Sequence, residues 1–391
     1  MMASVGPSPL VGKHEADVVV LGAGLAGLTT ALALLRPGRR GAVVEASSVA
    51  AGASGADLGH VATGLAIPYT RAVARHGREA ARTIWEWHRE SHERLRAQLA
   101  SLGDDCGYRG KGGFLLARDR SEGRELADSE DALRDDGFGG EFLDHYMLEA
   151  RFDVRGFAGA YWAADDGEVD PVALLRALAS EAMARGVALF EASAVEELEV
   201  DARGVRARSA SGEVYAAAGV LALGSQAPSL VPALAPFLLP VPARRLACTY
   251  PSGPALPSPV RTVGGGLGWR LRQDFRVAAF GESGDSFESL EGVLETHFVA
   301  PPRPNGRWAG ALCTSPDGLP LVGPLPGGPL VAVLGLGTLG HSWAFLAAGW
   351  AAEALAEGTD AAPPMLRASR FVTTLPPLAP REPRIGGRSR G

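Results

Sequence analysis

One stretch constrains the chain more than any other: ADVVVLGAGLAGLTTALALLRPGRRGAVVE, residues 16–45. Its opening apolar run is short and β-branched, which predicts a buried parallel strand rather than a helix. LAGLTTALALLR then reads as a helix ended by PGRRG, and AVVE as a second strand, completing one βαβ unit. Between the first strand and the helix lies G-x-G-x-x-G. Gly22 permits the tight turn, Gly24 lets backbone approach a pyrophosphate, and Gly27 lets the helix pack closely on the strand. The free N–H groups at the helix start suit phosphate. Glu45, ending the next strand, can accept from a ribose diol. Strand, helix and acid in register predict a dinucleotide site over Gly22, Ala23, Gly24, Ala26, Gly27, Glu45 and Ala46.

A second glycine pattern closes the chain: PLVAVLGLGTLGHSWAFLAAGWAAEALAEG, residues 329–358. It too is strand, glycine loop and helix, but no strand carrying an acid follows, and after Gly358 the sequence turns proline-rich. A second dinucleotide domain cannot be completed from it. What remains is a helix N-terminus in a small-residue loop, a place for partial negative charge such as the pyrimidine edge of a reduced flavin. A helix packed tightly on a sheet explains the same residues equally well.

The remaining chain divides around these two ends. The expected fold is α/β, a discontinuous Rossmann-like domain with an inserted α+β, antiparallel-sheet domain. We place the first domain at 16–75, 150–238 and 310–375 and the insertion at 76–149 and 239–309. Residues 1–15 are expected to be a flexible leader and 376–391 a disordered tail. Residues 76–101 read as an amphipathic helix with Ile84, Trp87, Leu95 and Leu99 among its apolar positions. Asp170-Pro171 starts a helix and Gly186 stops it. Residues 196–225 read as a meander returning to a buried strand, GVLALG, while 228–259 is proline-rich and irregular. GGGLGWRLRQDFRVAAFG reads as two strands turning near Gln273-Asp274, and 285–300 as a further helix.

Composition narrows the partners. A net charge of -6 is the wrong sign for a nucleic-acid binder. Cys106, Cys248 and Cys313 form neither a C-x-x-C pair nor a cluster with histidines, so no metal site is expected, and a reducing, cytoplasmic compartment fits them. No apolar run is long enough to span a bilayer, and nothing in the pattern sets an oligomeric state.

Several segments in order resemble the D-amino-acid oxidase superfamily of FAD-dependent amine oxidoreductases, which includes glycine and sarcosine oxidases, D-amino-acid dehydrogenases and γ-glutamylputrescine oxidases. They are DVVVLGAGLAGLTTALAL with VVEAS, GASGADLGHVATG, CGYRGKGGFLLA, GEVDPVALLRAL, AAGVLALGS, TSPDGLPLVGPL and LGLGTLGHSWAF. The resemblance implies FAD, with ring contacts from Ala53, Ser54, Gly55 and His60 in the first loop and Gly337, Thr338, Leu339, Gly340 and His341 in the last. It further implies contacts from Val195 and Gly224. The implied reaction is hydride transfer from a C–H next to the nitrogen of an amine or amino acid, with oxygen or a quinone as final acceptor. His341, His60 and Arg270 are the candidate catalytic residues. Arg270, Tyr250 and Trp269 are the candidate substrate contacts, since arginine's planar fork matches a carboxylate. Arg244 resembles a structural position, Cys313 reads as a buried thiol, and Lys111 as a solvated lysine. Two loops depart from the family pattern, at Gly55-Ala56-Asp57-Leu58-Gly59 and at Gly340-His341-Ser342. Alternatives are an enzyme of this fold acting on a natural-product intermediate, and a nucleotide-binding protein without turnover.

Overall fold

The computed structural model describes residues 7–152, 154–250, 256, 258–271 and 286–372, and the backbone of 276–282. Two large sheets organise it. In the first, Leu330–Leu334, Gly212–Leu221, Gly12–Leu21, Gly41–Val44 and Ala188–Phe190 lie side by side and parallel. Leu321–Leu325 adds an antiparallel edge, and the hairpin Val195–Asp201 with Gly204–Ser209 pairs back onto Gly212–Leu221. The opening strand starts at Gly12, paired with Gly212, so residues 12–15 of the expected leader are sheet.

Both faces of this sheet are covered, as a parallel sheet requires. Helices Leu25–Leu34, Pro171–Ala184 and Gly340–Glu357, with the C-terminal part of Arg78–Leu102, bury Val18, Val20, Val43, Val220 and Val333. Asp170 caps Pro171–Ala184 by accepting from the Val172 and Ala173 amides. The other face buries Val19, Leu21, Val44, Leu221 and Leu334 under Leu198, Val205 and the turn around Leu234. Alternation along one strand thus feeds two cores.

The second sheet runs Arg303–Thr314, Leu239–Thr249, Arg276–Glu282, Leu267–Leu271, Val260–Thr262, Gly113–Ala117, Gly159–Ala163 and Gly140–Asp144, antiparallel except between Val260–Thr262 and Gly113–Ala117. Gly159–Ala163 belongs here, although the sequence placed it in the first domain. Leu239–Thr249 is a strand despite Pro240 and Pro242, where the segment was read as irregular. Among the described residues, pairing with the third strand runs from Ala243, beyond both prolines, while Pro240 and Pro242 pair with the first.

The helix expected over 76–101 is Arg78–Leu102, preceded by a separate short helix, Tyr69–His76, from which Gly77 with φ of 85° divides it. Its buried stripe is Ile84, His88, Ser91, Leu95 and Leu99 together with Trp85. Trp87 is half-buried and meets Trp350 edge to face. A helix at Phe287–His297 and strands either side of 272–275 match expectation, while the Gln273-Asp274 turn and the 376–391 tail lie outside the described residues.

Candidate active site

At the first glycine motif Gly22 has φ of 101°, and a Cβ there would lie 2.7 Å from the Ala222 carbonyl oxygen. A Cβ on Gly27 would overlap the Gly22 carbonyl, so this glycine is a packing residue. Glu45 reaches back to the loop: Ala23 N–H donates to Oε2 at 2.8 Å and Ser47 N–H to Oε1 at 3.0 Å. Ser54 ties the next loop to the same helix start by accepting from Leu25 N–H at 3.1 Å.

These residues line a cleft of about 510 Å³, within the ordinary range of cofactor sites. The lining takes in Gly22, Ala23, Gly24, Ala26, Glu45 and Ala46 of the first motif, residues 53–57, Gly224, and Gly335, Gly337, Gly340 and His341 of the last. Residues 308–313 of the second sheet close it. Helices Leu25–Leu34 and Gly340–Glu357 both open into the cleft, and neither has a side-chain cap. Four other helices are capped by Asp119, Asp144, Asp170 and Ser286, while Tyr69–His76 and Arg78–Leu102 likewise have no side-chain cap. The two helices pack on each other, with Thr29 Oγ1 donating to the Ala344 carbonyl at 3.4 Å, and two helix N-termini facing one cleft fit the anionic pyrophosphate of FAD.

The ring-end chemistry comes from two buried clusters. His341 Nδ1 lies 3.1 Å from Asp57 Oδ1, and the His341 Nε2 has no hydrogen-bond partner among the described residues. Burial alone would raise the Asp57 carboxyl, but His341, Arg245 and the Gly59 amide outweigh it and hold it below the usual carboxylate value. In the second cluster His60 Nε2 lies 3.4 Å from Asp166 Oδ2, and Arg261 Nη2 lies 3.9 Å from the same oxygen. Burial pushes His60 below its ordinary 6.5, with Asp166 opposing it only in part. Asp166 is itself depressed, because His60, Arg261 and the Thr63 amide overcome its burial.

Beside the cleft, a cavity of about 40 Å³ is lined by Asp57, Leu58, His60, Arg261, Leu267, Thr338 and Leu339 among others. The sequence-stated site therefore splits. The glycine loops, Glu45, Ala46, residues 53–55, Gly224, Gly337, Gly340 and His341 share the cleft, and His60, Thr338 and Leu339 share the adjoining cavity. Val195 lines neither; it begins a strand and packs on the second core. Tyr250 and Trp269 are not cavity walls either. Both are buried against Phe298, Trp269 from its strand and Tyr250 from the residue that follows Leu239–Thr249. Arg270 is buried and donates to the Val169 carbonyl at 2.6 Å, and it is absent from the lining of both spaces. Arg244 is half-buried and Lys111 exposed. Cys313 lines the cleft, and burial pushes its thiol up to about 11, which keeps it protonated.

Sequence reasoning missed Arg245, Arg261 and Asp166, none of which stands in a recognisable motif. Asp57 was visible only as a departure from the family loop. No cluster of three or more potential metal ligands occurs among the described residues. No helix among them is long and apolar enough to cross a membrane.

Comparison with known proteins agrees with this geometry. A family model described as FAD dependent oxidoreductase matches residues 17–356. Glycine oxidase of Bacillus licheniformis is 31% identical over 221 residues, covering 54% of this chain and 55% of the relative. The chain thus spans about half the length of that relative. D-amino acid dehydrogenase of Sinorhizobium medicae is 27% identical over 385 residues, covering 83% of this chain and 92% of the relative. The crystal structure of glycine oxidase from Geobacillus kaustophilus shares the fold, with a TM-score of 0.74 at 22% identity over 92% of this chain and 99% of that one.

Proposed function

The chain belongs to the FAD-dependent oxidoreductase family, and we propose from that premise that it oxidises an amine or an amino acid at the C–H next to nitrogen. The carrying observation is that the helix N-termini of the first and last glycine motifs open into one cleft. Gly22, Gly24 and the helix start hold the pyrophosphate, Glu45 the ribose diol, and residues 53–57 and 337–341 the ring system. FAD, when bound, accepts the hydride and later passes two electrons to oxygen or a quinone.

The chain's own residues supply the rest. His341, set against Asp57, takes the proton leaving the substrate nitrogen. Loss of hydride and proton leaves an imine, which takes up water and splits into a carbonyl compound and an amine. Leu58, Leu267 and Leu339 line the adjoining cavity and restrict water around the reacting carbon. The buried free thiols support a reducing, cytoplasmic setting. Anaerobic mixing of the purified protein with a panel of amines and amino acids tests the reading: flavin colour is expected to bleach with at least one member. A protein purified with nicotinamide nucleotide alone, or a flavin that no member bleaches, would overturn it.

A further inference from the structure

Two carboxylate–histidine pairs and two small spaces alternate between His341 and the protein surface. The first pair is Asp57 with His341, and Asp57 lines both the cleft and the adjoining cavity of about 40 Å³. His60 lines the same cavity, and its Nε2 faces Asp166 Oδ2 at 3.4 Å. Asp166 in turn lines a second space of about 30 Å³, walled elsewhere by Leu115, Leu133 and Phe138. Asp165 lines that space too, and its carboxylate, 33% exposed, pairs with Arg89 at 2.7 Å. Gly113 leaves the middle of the series open: a Cβ there would lie 2.7 Å from Asp166 Oδ2 and 2.8 Å from His60 Nε2. Arg261 Nη2 stands 3.9 Å from Asp166 and balances its charge. Thr63 and Arg261 are buried in the lining of the second space, and Thr63 Oγ1 and Arg261 Nε have no hydrogen-bond partner among the described residues. Such a space takes about two water molecules, at roughly 10–15 Å³ for each, provided polar groups hold them. Asp166 and the two orphaned atoms are those groups.

The oxidation read above sets a proton free in a buried place. The C–H electron pair of an ammonium substrate leaves with its hydrogen, as hydride, to the bound FAD. Ammonium and FAD thus become iminium, anionic reduced flavin and one proton, and hydrogen and charge balance. A charge left among apolar walls is costly, so that proton needs a way out. We propose that His60 and Asp166 form the proton exit of the site. The proton passes from water in the cavity through His60 Nε2 and Asp166 Oδ2 to water in the second space, and leaves at Asp165. Reoxidation by oxygen or a quinone takes up a proton again, and the same series supplies it. His60 and Asp166 are then relay residues and not substrate contacts. Apolar walls around both spaces limit the water to a few held molecules and exclude bulk solvent. The proposal rests on the oxidoreductase reading and adds the proton's route to it.

The test follows a single anaerobic turnover of the flavin-loaded protein with an amine or amino acid that bleaches it, in dilute buffer with a pH-indicating dye. One proton per flavin is expected to appear in the same phase as bleaching. In His60→Gln, proton release is expected to lag bleaching on the order of a hundredfold, the scale of one positioned proton-transfer group, and added imidazole is expected to restore it. Gly113→Ala keeps both groups but parts them, and is expected to give the same lag. These two positions are buried, so two further measurements stay clear of the core. Asp165→Asn changes a partly exposed group, and is expected to delay release in dilute buffer and not in concentrated buffer. A crystal structure of the unaltered protein is expected to show ordered water in both spaces, in contact with Asp166, Thr63 Oγ1 or Arg261 Nε. Several results would overturn the exit while leaving the oxidation standing: release that keeps pace with bleaching in these variants, bleaching that frees no proton, a His60→Gln lag that imidazole leaves in place, or a dry second space. A protein without flavin, or a flavin that no substrate bleaches, would instead sink the oxidoreductase reading and the exit with it.

Discussion

A side chain at Gly24 would point at Ser54, whose Oγ would lie 3.1 Å from the added Cβ. Gly24→Val is therefore expected to block the pyrophosphate approach and yield protein without flavin, read from the absorbance of the purified protein. Gly340 makes a sharper companion, because a Cβ there meets no protein atom within 4 Å. Gly340→Val is expected to leave folding intact and still weaken flavin retention, by filling the cleft at the last loop; full flavin content would detach the last loop from the cofactor. Arg270, expected from the sequence to contact substrate, lines neither the cleft nor the adjoining cavity. Its guanidinium satisfies the buried Val169 carbonyl, so Arg270→Ala is expected to destabilise the fold by about 2 kcal/mol, seen as a lower denaturant midpoint. A change confined to KM would return Arg270 to the substrate site. The glycines were legible in the sequence because their roles are local to one turn. Arg261 and Asp166 were not, since their meaning lies in contacts between Val260–Thr262 and loops a hundred or more residues away.

The same division holds for whole elements. Strand, glycine loop and helix could be read at both ends of the chain because each carries its own period and its own turn chemistry. Gly27→Ala tests how tightly the first of them is built. A Cβ there overlaps the Gly22 carbonyl, so the helix must shift off the strand, at a cost on the order of 1–3 kcal/mol. Both flavin content and thermal midpoint should fall together, and a stable, flavin-loaded Gly27→Ala protein would show that the close packing is dispensable. Elements whose identity depends on neighbours were harder to read. Arg120–Asp135 is a helix with few buried apolar residues, chiefly Leu126 and Leu133, and its Asp119 cap is its clearest local signal. Gly159–Ala163 pairs with Gly113–Ala117 and Gly140–Asp144, and nothing within its five residues chooses that sheet over the other.

At the scale of the molecule, the junction between the two sheets is where ionisable groups are buried. His60, His88 and His92 all lie there with depressed values, His92 near 4 against an ordinary 6.5, with burial the main cause in each. A histidine whose folded value lies below its unfolded one contributes stability fully above pH 6.5 and loses it as pH falls toward the folded value. Asp57 and Asp166, also depressed, lose stability in the same direction at lower pH. Unfolding by denaturant should therefore require on the order of 3 kcal/mol less at pH 4 than at pH 7 from His92 alone, and a stability that does not fall over that window would contradict neutral burial of these histidines. The fold itself follows from bringing the chain's two ends together: the strands of both glycine motifs flank Gly212–Leu221 in one parallel sheet, which points both helix N-termini into one cleft. The most direct test of that arrangement is the number of nucleotides per chain, measured on fully digested protein so that every flavin is released and counted. One FAD per chain and no second nucleotide, falling in both Gly24→Val and Gly340→Val, is the result predicted; two nucleotides per chain, each lost in only one of the two variants, would contradict it.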